Sequence, residues 1–79
     1  MISRIKFCEQ YADWLEVIDP IIDPEYYPAI RSLYMKDPKT LIDPGVTFTD
    51  SNHVIGFLFT LLIETHKQLG KATTNATIQ

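Results

Sequence analysis

Residues 54–63 read VIGFLFTLLI, and this run decides what the rest of the chain must do. At about 100° per residue, Val54, Ile55, Leu58, Phe59, Leu61, Leu62, Ile63 and Leu69 spread over an arc of roughly 200°. A helix packed against one neighbour needs about half that width. The remaining stripe holds His53, Gly56, Phe57, Thr60, Glu64 and Lys67. A helix is therefore expected from a cap at Thr49 or Ser51 to Leu69, ended by Gly70. Ten apolar residues are too few to cross a bilayer, which takes about 20. No membrane contact is expected.

The chain has 79 residues, enough for one domain spanning 1–70, with KATTNATIQ (71–79) as a polar, mobile tail. A domain this small buries only about 60% of its unfolded surface and needs further support. Cys8 is the single cysteine, so no internal disulfide forms. No Cys/His set has zinc-site spacing, and neither a metal nor a cofactor is expected. Association remains as the source of extra burial. Ile55, Gly56, Phe59, Thr60 and Ile63 are the expected self-association residues, in a helical homodimer. Twofold dimers are the commonest soluble oligomer.

Four Asp-Pro pairs, at 19–20, 23–24, 37–38 and 43–44, cut the chain into segments. Proline suits a first helical position, and an Asp before it can accept from the free amides there. The first helix is expected from Ser3 to Ile18. Ile5, Cys8, Tyr11, Ala12, Leu15 and Ile18 form its inner face, with Phe7 and Trp14 at the edge. The second helix falls within 24–36, with a loose first turn or a late start forced by Pro28. Tyr27, Ile30, Leu33 and Tyr34 should face inward. A short turn follows Asp37-Pro38, and Asp43-Pro44-Gly45 ends it. Residues 46–49 look strand-like but lack an evident partner, so an extended arm is expected. The predicted class is all-α, a three- to four-helix domain with a long apolar C-terminal helix.

Net charge is −3 and the sequence pI is about 5.1. Nucleic-acid backbones call for clustered Lys and Arg, so direct nucleic-acid binding is not expected. Between Lys6 and Arg31 there is no base, yet that interval holds Glu9, Asp13, Glu16, Asp19, Asp23 and Glu25. Those acids, with Tyr26 and Tyr27 at a helix start, are the expected surface for a basic protein partner. Opposite charge speeds encounter and aromatics supply affinity.

Phosphate loops, dinucleotide fingerprints and metalloprotease or hydrolase motifs are all missing from the sequence. His53 and Glu64 share a helix face but stand about 16 Å apart along the axis. His66 is expected to serve as a last-turn cation, and Cys8 as a small buried hydrophobe. The expectation is a non-enzymatic, cytoplasmic interaction or regulatory module. One alternative is a small-molecule-binding or minimal enzymatic dimer, with His53 and Glu64 near an intersubunit site. Another is an acidic mimic of nucleic acid, whose binding to a basic partner would collapse as salt rises.

Overall fold

The computed structural model describes the backbone of residues 1–78 and the side chains of residues 1–70. In chain order the elements are β1 (Ile2–Ser3), α1 (Arg4–Glu9), α2 (Tyr11–Ile18), 3-10 turns at Asp19–Ile21 and Pro24–Tyr26, α3 (Tyr27–Tyr34), a 3-10 turn at Pro38–Thr40, β2 (Thr47–Phe48) and α4 (Ser51–Ile78). The architecture is mostly helical with one small two-stranded sheet, rather than helical throughout.

The sheet supplies the partner that the arm lacked in the sequence. β2 pairs antiparallel with β1, with Ile2 opposite Phe48 and Ser3 opposite Thr47. The turn that feeds β2 is readable in residues 43–46. Val46 N–H donates to the Asp43 carbonyl at 3.3 Å, and Gly45 takes φ +88°. Proline second and a positive-φ glycine third make this a type II turn.

The single helix expected over residues 3–18 is two helices. Gln10 leaves helical geometry at φ −106°, ψ 14°, and its N–H is shared between the carbonyls of Lys6 (3.1 Å) and Phe7 (3.2 Å). Ser3 opens α1 by accepting from Lys6 N–H at 3.1 Å. The inner face rotates accordingly. Phe7, Tyr11, Leu15 and Ile18 are buried, while Ile5 is 71% exposed and Ala12 is exposed. Long-range packing explains the rotation: Phe7 meets Phe48 at 5.1 Å and Phe57 at 6.0 Å between ring centroids. Phe48 also meets Phe57 at 5.4 Å. Three elements thus share one aromatic cluster. Arg4 ties the following loop to α1, with Nε donating to the Ile42 carbonyl (3.1 Å) and Nη2 to that of Lys39 (3.0 Å).

Pro28 acts as expected. The segment starts as a 3-10 turn at Pro24, and regular helix begins only at Tyr27, with Pro28 in its first turn. Ala29, Ile30 and Leu33 form the inner face. Tyr34 (36% exposed) lies outside the core, against expectation, and Tyr27 (39%), expected both on the inner face and on the contact surface, lies outside as well.

α4 departs from expectation at both ends. Neither Thr49 nor Ser51 caps it. Asp50 does, accepting from His53 N–H at 3.0 Å. His53 Nδ1 in turn accepts from Thr49 N–H at 3.1 Å, a reciprocal arrangement in the manner of a capping box. Gly70 does not stop the helix, which continues to Ile78. Glycine inside a helix costs only about 1 kcal/mol, and no proline follows. His66 therefore lies within α4 rather than in its last turn. Gln79 and the side chains of residues 71–78 lie outside the described residues, and with them the tail expected there. Val54, Leu58, Leu62 and Thr65 form the buried stripe of α4, flanked by half-buried Ile55 and Phe59 on one side and Phe57 and Leu61 on the other.

Candidate functional site

The Asp-Pro pairs shape a wall beside α4. Proline fixes φ near −65°, so Pro20 and Pro24 hold the two 3-10 turns between α2 and α3 rigidly. Between those turns Ile22 is buried, whereas its neighbour Ile21 is 69% exposed. Ile21, Ile22, Asp23 and Tyr26 form one side of a groove, and Phe59, Leu62 and Ile63 of α4 form the other. Its volume is about 230 Å³. Ile63, at the α4 lip, is 44% exposed.

This groove joins two sets of residues that the sequence placed on separate surfaces. Asp23 and Tyr26 come from the acidic, aromatic segment; Phe59 and Ile63 come from the expected self-association stripe. Ile55 lies half-buried on the same flank of α4, and Gly56 and Thr60 are exposed beyond it. A Cβ added at Gly56 would meet no atom within 4 Å, and the Thr60 hydroxyl donates to the Gly56 carbonyl at 3.0 Å.

Asp23 precedes Pro24 yet makes no side-chain capping bond, unlike Asp37, which accepts from Lys39 N–H at 3.0 Å. Its carboxylate has no hydrogen bond or ion pair among the described residues. Glu25 stands nearby, 3.9 Å from His66 Nε2 and largely exposed. The His66 ring packs on Tyr26 at 4.6 Å between centroids, which buttresses the tyrosine on the groove wall.

The other expected partner-binding residues are dispersed. Glu9, Asp13 and Glu16 are exposed along α1 and α2. Asp19 and Tyr27 line a separate open cleft of about 460 Å³ with Pro20, Ile30, Arg31 and Tyr34. There burial, then the charges of Asp19 and Glu16, raise the Tyr34 phenol above its ordinary value.

His53 and Glu64 do not form a pair. His53 is occupied by the start of α4 and packs edge-on against Phe48 at 5.1 Å, while Glu64 is exposed. Among the described residues, no three His, Cys, Asp or Glu side chains could hold a metal ion. Cys8 is half-buried rather than buried. Ile21 and Ile22 are groove residues that sequence reasoning missed, and Leu62 was read only as part of the apolar arc. The doublet Ile21-Ile22 between two prolines was the available signal, because a tight turn buries one of two neighbouring side chains and exposes the other. No helix among the described residues is long and apolar enough to cross a membrane. Comparison of the chain with protein-family models, curated proteins and solved structures gives no match.

Proposed function

We propose that this protein is a non-enzymatic interaction module whose contact surface is the groove between the Pro20–Tyr26 wall and α4. The observation that carries the proposal is the pair of exposed apolar lips, Ile21 and Ile63, over a floor that includes Tyr26 and Phe59. Large apolar and aromatic side chains clustered in this way supply most of the affinity at protein interfaces. Asp23 and Glu25 beside them favour a basic partner and speed its approach. Such a module regulates, inhibits or adapts the protein it binds.

The test is affinity capture from the native source with the wild-type chain and with an Ile21→Asp/Ile63→Asp double variant. Circular dichroism would show that both are folded. The reading expects a protein retained by the wild type and lost by the variant. Identical retention by both chains counts against it.

A second reading, a twofold dimer through α4, is favoured by Ile63 and by the open space before Gly56. In that dimer Gly56, Thr60 and Ile63 form the contact, with Ile55 and Phe59 at its edge.

A further inference from the structure

We infer that the groove takes a basic amphipathic helix from a partner protein. The inference rests on the interaction-module reading and names the occupant of that surface. Three observations select it.

The first is shape. Phe59 and Ile63 are one turn apart on α4, about 6 Å along the axis, and face Ile21 and Tyr26 across the groove. That spacing matches the anchors an amphipathic helix offers at i, i+3, i+4 and i+7. A volume of about 230 Å³ lies below the range of about 300–1,000 Å³ typical of small-ligand pockets. It suits inserted side chains better than a whole small molecule.

The second is charge. Asp23 is uncommitted, since it caps nothing and pairs with nothing among the described residues. The Glu25 carboxylate, two residues further on, is largely exposed, with His66 Nε2 3.9 Å away. No Lys or Arg lines the groove. A helix with Lys or Arg flanking its apolar face meets both carboxylates while its apolar side chains fill the floor.

The third is symmetry. A twofold contact of groove on groove would bring the Asp23 carboxylates of both copies into one interface with no lining Lys or Arg to pair them, and uncompensated like charges across an interface are disfavoured. The wall is also rigid before binding, because the two prolines fix its turns, so little ordering cost falls on this side.

The experiment uses the full chain and two labelled synthetic 18-residue helices. Both carry leucine at i, i+3, i+4 and i+7; one has lysine at the flanking positions and the other glutamate. Fluorescence anisotropy should show the lysine helix binding about five- to ten-fold tighter than the glutamate helix at low salt, with the gap narrowing as salt rises. Asp23→Asn/Glu25→Gln should shrink the preference to within about two-fold, while Glu9→Gln/Glu16→Gln, remote from the groove, should keep it. Ile21→Asp and Ile63→Asp should each lose both helices.

Equal binding of the two helices, or a preference untouched by Asp23→Asn/Glu25→Gln, overturns the inference about the occupant. If the isoleucine variants still lose binding in that case, the module reading survives. Isoleucine variants that bind like the wild type sink both. If self-association that survives Gly56→Leu, followed by sedimentation equilibrium, competes with peptide binding, a second copy occupies the groove and the inference falls.

Discussion

Tyr11 carries two loads at once. Its ring lies 5.8 Å from that of Phe7 in the aromatic cluster, and its hydroxyl donates to the Leu33 carbonyl at 2.6 Å, joining α2 to the last turn of α3. Burial pushes the phenol from its ordinary value of 10.0 up to about 12. The folded chain therefore holds this proton over a range in which the unfolded chain has lost it. Stability should be unaffected by Tyr11 below pH 10, fall between 10 and 12, and level off above. The loss is on the order of 1–3 kcal/mol. Tyr11→Phe should cost about 0.5–1.5 kcal/mol at neutral pH and flatten that alkaline fall. Urea unfolding of both chains from pH 7 to 12 checks the two effects together. Tyr11 was legible as an inner-face residue from its spacing alone. The acceptor of its hydroxyl was not, because Leu33 is brought there by the turn between helices, which no local pattern encodes.

At the start of α4, three cap-forming residues stand in a row, Thr49, Asp50 and Ser51, and spacing cannot choose among them. Geometry chooses Asp50, whose Oδ1 accepts from His53 N–H at 3.0 Å. Asp50→Ala should cost about 1 kcal/mol, whereas Thr49→Ala should cost less, since it keeps the backbone N–H that donates to His53 Nδ1 and loses only the hydroxyl's 3.5 Å contact with that atom. Thermal unfolding of the two variants separates them, and equal losses would refute the assignment. The Asp-Pro pairs did mark where segments change. At 24 and 38 the proline opens a 3-10 turn, and at 44 it sits in the type II turn. Only Asp37 among those four aspartates has a capping bond, so the proline decides the boundary more than the carboxylate does. The break at Gln10 had no Gly or Pro to announce it. It follows from the pairing of Ile2 with Phe48, which turns Phe7 inward, and from the Lys6 and Phe7 carbonyls sharing one amide. Phe48→Ala should be far costlier than any cap variant, about 3–5 kcal/mol, because it empties the middle of the aromatic cluster.

Across the whole molecule, the width of the apolar arc on α4 was the strongest sequence signal, and most of it is accounted for within one chain. Of the arc, Val54, Leu58 and Leu62 are buried, Ile55, Phe59 and Leu61 are half-covered, and Ile63 and, further along, Leu69 stay out. The expectation of a partner thus narrows from the whole arc to one flank. That flank offers two routes, the groove beside Ile21 and the stripe along Gly56 and Thr60. Gly56 tells them apart. The space before it is open in the single chain, so Gly56→Ala should stabilise the fold by about 0.5–1 kcal/mol through helix propensity alone. Gly56→Leu should fold as well, but a dimer built on close approach of two α4 backbones could not accommodate its side chain. If the chain dimerises along α4, sedimentation equilibrium should show a wild-type dimer that Gly56→Leu converts to monomer, while the groove still binds a lysine-flanked helix. A dimer that persists in Gly56→Leu places the contact elsewhere. If the wild type is monomeric at every concentration, the groove is left as the surface that explains why Ile21 and Ile63 stay outside the core.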